Sequence, residues 1–241
     1  MARQAAKKKP TRKKKTKVSL RRRLTRWIAR GVLAVVAVVA FFIALYGIVP
    51  PPATPYMIAE RSREGPLKRD WVPMERIAPV MARSAVAAED ANFCLHWGLD
   101  LDAIRTALEG GGGRGASTIS QQTVKNVYLW HGRSWTRKAL EAVLTPTVEA
   151  VWTKRRILEV YLNVAEFDAG VFGIEAAARH YFGVSAMELS AVQAARLAAI
   201  LPDPKGRSAS RPSEFVRRRA AGILDGAATI RADGRSACFE R

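Results

Sequence analysis

Cysteine is almost missing from this chain: Cys94 and Cys238 are the only two among 241 residues. Two thiols cannot build the multi-bridge framework of a small secreted scaffold. Whether they pair or lie apart and buried is left open by the sequence. Acidic residues are missing from positions 1–30, which hold 14 Lys or Arg. The rest of the chain carries 26 basic and 21 acidic residues, so the formal net charge of +19 belongs mostly to a tail. Charge of either sign is missing from residues 31–49, GVLAVVAVVAFFIALYGIV. A core helix of that length keeps a polar face, and this stretch has none. It matches the roughly 20 apolar residues that a membrane-crossing helix needs. No small-residue cleavage site follows, and the run exceeds the ~7–15 residues usual in a signal peptide, so an uncleaved anchor is expected. Strand-like alternation is scarce, confined to residues 71–73, and no internal repeat is found. The fold class expected is therefore mainly α.

The basic run at Lys7–Lys9 and Lys13–Lys15 suits a nucleic-acid arm by composition alone, but its place beside an apolar span argues against one. Arg21, Arg22, Arg23, Arg26 and Arg30 crowd the N-terminal flank of the span, while its C-terminal flank has no charge until Glu60. The positive-inside rule then puts residues 1–30 in the cytoplasm as a basic arm, residues 31–49 in the membrane, and a domain of residues 55–241 outside. The arm also suits the anionic inner leaflet. Hydrophobic residues make up 49% of the chain, enough for a core of ordinary size.

Within the domain the periodicity is helical over residues 77–91, 117–129, 135–151, 155–164 and 173–181. Ser185-x-x-Glu188 and Ser190-x-x-Gln193 have the pattern of two successive capping boxes. They introduce a short helix and an Ala-rich one over 191–201, which ends before Pro202 and Pro204, and a last helix is expected over 212–228. The loop 109–115, EGGGGRG, has five glycines in seven residues. It reads either as a plain linker or as a mobile flap over a site.

Four clusters carry the chemistry. The first is Glu89-Asp90-Ala-Asn-Phe93-Cys-Leu-His96-Trp-Gly98-Leu-Asp100. The second is Gly115-Ala-Ser117-Thr118-Ile-Ser-Gln121-Gln122-Thr-Val-Lys125-Asn126. The third is Arg137-Lys138-Ala-Leu-Glu141, followed by Lys154-Arg-Arg-Ile-Leu-Glu159-Val-Tyr161-Leu162-Asn163. The fourth is Tyr181-Phe182-Gly183 before Glu188-Leu189-Ser190. Together, in this order, they resemble the biosynthetic peptidoglycan glycosyltransferases, also called peptidoglycan transglycosylases (glycosyltransferase family 51). The resemblance spans residues 85–204. Any one cluster alone is a weak signal; several long ones in sequence are specific.

The resemblance implies a lysozyme-like helical glycosyltransferase domain behind one N-terminal transmembrane helix. It implies a donor glycan held to a polyprenyl lipid through an anomeric diphosphate, and lipid II as acceptor. The acceptor hydroxyl displaces the lipid diphosphate with inversion, giving a β-1,4 linkage. An alcohol is a poor nucleophile, so a carboxylate must take its proton; by resemblance this is Glu89. Asp90 beside it and the uncharged stretch before it are expected to raise its pKa. A diphosphate leaves as an anion and needs positive charge. By resemblance Lys125 and Arg133 supply it, with Arg137 close by and Ser117, Thr118, Gln121 and Gln122 as neutral donors. A helix starting near Ser117 adds its dipole. Glu141 matches the family's second catalytic glutamate, four residues after Arg137 on one helix face. Asp90, Phe93 and His96 complete the expected substrate-binding set, with His96 and Asp100 in a supporting, hydrogen-bonding role.

His96 has no Cys or second His at ligand spacing, so no metal site is expected there. No cofactor is required; the resemblance admits a divalent cation, Mg or Mn, beside the diphosphate. Expected partners are lipid II, lipid-linked glycan and the bilayer of the cell inner membrane, with other cell-wall synthesis and division proteins admitted and nucleic acid excluded. Ala116 and Ser120 depart conservatively from the family pattern, and Pro146 is expected to kink its helix. Relatives with a transpeptidase domain are longer, so the chain reads as the monofunctional type. The rival enzyme is a membrane-anchored lytic muramidase, which shares the helical architecture and a catalytic glutamate but has no use for the cationic second cluster.

Overall fold

The computed structural model describes residues 20–109, 117–132 and 134–240. The basic arm up to residue 19, most of the glycine-rich loop and Arg133 fall outside the described residues. The chain divides into two units, residues 1–42 and 43–241.

Helix α1, Leu20–Tyr46, supplies most of the first unit. It is the one described helix long and apolar enough to cross a membrane. Its apolar side chains, among them Val32, Leu33, Val35 and Val36, are exposed to whatever surrounds the helix. That is the pattern expected where lipid rather than protein is the solvent. The helix begins eleven residues before the uncharged run and stops at Tyr46, short of residue 49.

The second unit opens at Ile43, where the last carbonyls of α1 receive side-chain donors. The Trp152 indole donates to the Ile43 carbonyl at 2.6 Å, and the Arg156 guanidinium donates to the Tyr46 carbonyl at 3.0 and 3.1 Å. Helix ends otherwise leave such acceptors without partners. Helix α2 follows, Pro55–Glu64, with Thr54 accepting from the Met57 N–H and proline in the first turn. The sequence reading did not anticipate it, because its apolar residues are bunched in the first half and show no helical period. Strand β1, Lys68–Arg69, lies just before the stretch expected to be extended; residues 71–73 are irregular. It pairs parallel with β3, Val171–Phe172, which also pairs antiparallel with β2, Glu166–Asp168. Strands of two or three residues are too short for alternation to be read in advance.

Helices then build the body: α3, Pro79–Glu89; α4, Leu101–Glu109; α5, Ile119–Tyr128; α6, Trp135–Val151; α7, Lys154–Val164; α8, Ile174–Phe182; α9, Ala191–Ile200; α10, Glu214–Ala232; and α11, Ala237–Glu240. Helices α4 and α11 were likewise not anticipated. Both expected capping boxes are present, at Ser185 with Glu188 and at Ser190 with Gln193. Helix α6 is assigned without a break through Pro146.

The core is organised by α7, in which Ile157, Leu158, Val160, Tyr161, Leu162, Asn163 and Val164 are buried. Full burial of each large aliphatic side chain contributes roughly 1.5–3 kcal/mol. Asn163 uses its amide as a clasp, accepting from the Val72 N–H at 2.9 Å and donating to the Val72 carbonyl at 2.8 Å. Gly173, at φ 85°, is held so close that an added Cβ would sit 2.9 Å from the Asn163 carbonyl oxygen. Helix α5 packs against both α7 and α6, while α3, α9 and α10 form a second packed group.

Cys94 and Cys238 form a disulfide, with Cα atoms 5.7 Å apart. This decides what the sequence left open. It fastens the loop after α3 to the C-terminal segment, where Phe93 and Phe239 rings also meet and Arg235 donates to the Ala91 carbonyl.

Candidate active site

Glu89 is the last residue of α3, and Asp90 caps it. The helix therefore delivers one carboxylate to its own C-terminal end, and the chain turns away at once. Asp90 is buried and fully engaged: Oδ1 lies 2.8 Å from His96 Nε2, and Oδ2 accepts from the Ile119 N–H at 3.0 Å. It thereby ties the first cluster to the N-terminus of α5, where the helix dipole favours a negative group. Thr118 caps the same helix, accepting from the Gln121 N–H while Gln121 Oε1 accepts from the Thr118 N–H. The Thr118 hydroxyl donates to the Gly98 carbonyl at 2.6 Å. Gly98 has φ 82°, and a Cβ there would sit 2.8 Å from Thr145 Cγ2.

Part of the expected substrate set lies in the frame of the site. Asp90, Thr118 and Gln121 are buried and spend their polar atoms on one another and on the backbone. Phe93 is wholly buried, against Phe239 and under the Lys154 ammonium 4.4 Å away. These residues build the frame of the site. His96 belongs with them through its contact with Asp90. Asp100 accepts from Asn92 Nδ2 and from the Ala103 N–H, so it starts α4. Ser117, where the helix was expected to begin, is exposed and lies one residue ahead of the cap, Thr118. Asp90, His96 and Asp100 bring donor atoms within 4.8 Å of one another, but those atoms already serve the hydrogen bonds just described. Sequence spacing gave no hint that the three meet.

Gln122 faces the other way. Its Nε2 donates to Glu89 Oε2 at 2.9 Å, and its Oε1 accepts from the Tyr161 hydroxyl at 3.3 Å. Glu89 Oε1 lies 3.5 Å from Nη2 of Arg219, on α10, a partner no cluster in the sequence pointed to. Burial pushes the Glu89 pKa up, and Gln122, Arg219 and Lys125 offset part of that rise; Asp90 adds the smallest upward push. The direction agrees with expectation, but desolvation rather than Asp90 is the main cause.

Lys125 stands one turn after Gln121 on α5. Burial lowers its pKa, opposed first by Glu141 and then by Glu89, so its ammonium feels both carboxylates. Glu141 is buried on α6 between two cations: Arg137 Nη1 donates to Oε2 at 2.6 Å, and the Lys138 ammonium donates to Oε1. Ser134 caps α6 by accepting from the Arg137 N–H. The site is thus a carboxylate at the end of α3 next to a cluster of Lys125, Arg137, Lys138 and Glu141. Arg133, predicted beside that cluster, lies outside the described residues.

A cavity of about 460 Å³ opens along the same face of α5, lined by Gln122, Lys125, Asn126 and Tyr161 and, across from them, by Tyr56 and Lys205. His131 stacks on Tyr56 with ring centroids 3.5 Å apart, and burial lowers its pKa to about 4, so at neutral pH it adds no charge.

The transglycosylase family model matches residues 57–228. A biosynthetic peptidoglycan transglycosylase of Jannaschia sp. (strain CCS1) is 61% identical over 235 residues, covering 96% of this chain and 98% of its own. Proteins of the same name from Rhodospirillum centenum and Caulobacter vibrioides are 47% and 44% identical, covering 90% and 91% of this chain and 96% and 97% of theirs.

Proposed function

The chain belongs to the transglycosylase family and is a peptidoglycan glycosyltransferase that polymerises glycan strands; from that premise we propose its substrates, its residue roles and its orientation. The donor is a glycan held by an anomeric diphosphate to a polyprenyl lipid, and the acceptor is lipid II. Glu89 takes the proton of the acceptor hydroxyl as that oxygen bonds to the anomeric carbon. The bond from that carbon to the diphosphate oxygen breaks on the opposite face, so configuration inverts and polyprenyl diphosphate departs as an anion. Lys125, with Arg137 and Arg133, offsets the charge that develops on it. Glu141 orders those cations.

One observation carries this reading: the buried Glu89 stands beside cations whose own counter-charge, Glu141, is held on both oxygens. A glycosidase needs a carboxylic acid to protonate a sugar alkoxide. A carboxylate gripped by Arg137 and Lys138 is placed to order cations, not to give up a proton. The deciding assay is incubation of the full chain with labelled lipid-linked disaccharide, with strands separated on a gel, beside incubation with purified sacculi. Glycan ladders without clearing of sacculi are expected. Clearing without ladders would establish the lytic reading instead.

The anchor α1 supports a single-pass inner-membrane protein with residues 1–30 in the cytoplasm and the domain of residues 55–241 in the periplasm. Two further features support the orientation. The Cys94–Cys238 disulfide suits an oxidising compartment. Leu95, Trp97 and Leu101, with Trp135, Leu140 and Val143 on α6, are exposed apolar side chains of a kind suited to a lipid interface. In intact cells trapped with acid and denatured without reductant, neither cysteine should take a maleimide label, and both should after reduction. Full labelling before reduction would place the domain on the cytoplasmic side.

A further inference from the structure

Partial burial of Glu89 makes its carboxylate a stronger base, yet it also drives the group toward the neutral form, which accepts no proton. Something has to hold the anion in place. The groups facing it come from four directions. Gln122 and Lys125 come from α5, and Tyr161 from α7 reaches it through Gln122. Asp90, its chain neighbour, opposes the anion, although its own oxygens are taken up by His96 and the Ile119 N–H. Arg219 comes from α10.

The placement of Arg219 follows from how α10 packs. Val216, Ala220, Ile223, Ala227 and Ile230 are the buried face of that helix. Gly226 lets it approach α3 closely, since a Cβ there would lie 3.2 Å from the Ala87 methyl. Arg219, one position before buried Ala220, therefore reaches across the C-terminal end of α3. Its Nη2 lies 3.3 Å from the Ala88 carbonyl oxygen and 3.5 Å from Glu89 Oε1, and its Nε is buried with no partner. Ala88 and Glu89 thus hold the guanidinium at the end of the helix that carries the base, where the helix dipole itself is negative. Gln122 takes one carboxylate oxygen and Arg219 the other, from different helices.

We propose that Arg219 acts on the transfer reaction through Glu89: from α10 it holds the Glu89 carboxylate in its anionic form and so sets the pH at which base catalysis begins. The inference rests on Glu89 acting as the base. It also assigns a task to the C-terminal helix, which brings a single guanidinium to the second oxygen of the base. After Glu89 has taken the acceptor's proton, the same positive charge favours its return to solvent, so the base is restored for the next addition.

The test is the pH dependence of kcat/KM for the full chain and for Arg219→Gln and Arg219→Lys. A carboxylate base loses activity as pH falls through its pKa, and removing a nearby positive charge raises that pKa. Arg219→Gln should therefore move the acid limb upward by ~0.5–1 pH unit. This is less than the 1–3 units typical of a close opposite charge, because the Arg219 side chain is 32% exposed and solvent screens it. Arg219→Lys should move the limb most of the way back, and at high pH the rate of the Gln variant should approach that of the wild type. Added to Glu89→Gln, the Arg219→Gln change should lower the residual rate no further. An unmoved limb, an equal loss at every pH, or a further loss in the Glu89→Gln background would overturn the proposal. So would failure of both Arg219 variants to fold, which would make the residue a structural support. A near wild-type rate for Glu89→Gln alone would instead overturn the base assignment on which the proposal depends.

Discussion

Replacing Glu89 by glutamine should lower the initial rate of glycan formation by about 10²–10⁴-fold, the usual worth of a general base. The change keeps the shape of the side chain and can keep the hydrogen bond with Gln122, whose own amide can turn over. What it removes is the atom that takes the acceptor's proton. The proposed diphosphate contacts come from α5 and α6, so binding of the lipid-linked precursor should survive. The wild-type profile should also show where the base titrates. Burial raises the Glu89 pKa above the ordinary carboxylate value, so the anionic form is lost earlier on acidification than for an exposed glutamate. The acid limb of kcat/KM should accordingly fall above the range of a free carboxylate. The measurement is initial rate against precursor concentration, with melting temperature as a control for folding. A folded Glu89→Gln protein that works at near wild-type rate would sink the mechanism, whatever the family.

Lys125→Ala should be the second most damaging change. The ammonium is half-buried on α5 and sits in the field of both Glu141 and Glu89. A hydrogen bond to a charged group contributes about 1.5–3 kcal/mol, which corresponds to roughly a tenfold to hundredfold loss of rate. The effect should fall on kcat, because the leaving group carries more charge in the transition state than in the bound donor. The fold should be unaffected or slightly firmer, since burial of the ammonium costs something in the empty protein. A folded Lys125→Ala enzyme with unchanged kcat would show that the diphosphate leaves by other means.

Much of this was legible in the sequence, for reasons particular residues make plain. The span was readable because 19 successive residues lack charge. The two capping boxes were readable because each is a local event, closed within four residues. The helix of Arg137 and Glu141 was readable because their spacing of four puts them on one face. Long-range meetings were not readable. Arg219 lies 130 positions from Glu89, and only the packing of α10 on α3 brings them together. The same holds for Asp90 with Ile119 and for Asn163 with Val72. The frame residues could not be told from the others in the sequence for a related reason. Phe93, Thr118 and Gln121 stand in the same clusters as Glu89 and Lys125, and a motif does not say which members point inward. Thr118 was assigned to substrate, whereas its hydroxyl is spent on a helix cap and on the Gly98 carbonyl. The small sheet was missed because two-residue strands carry no period to detect.

The disulfide between Cys94 and Cys238 has a topological consequence. It closes the backbone between those residues, 144 positions apart, into a covalent ring that contains α4 to α10. Glu89 lies on the tail just outside the ring, and Glu141 lies within it. A single peptide-bond cut inside the ring therefore opens it without dividing the molecule. A protease that nicks the glycine-rich loop 109–115 leaves one oxidised molecule with both carboxylates still attached, and only a reductant converts the nick into two fragments.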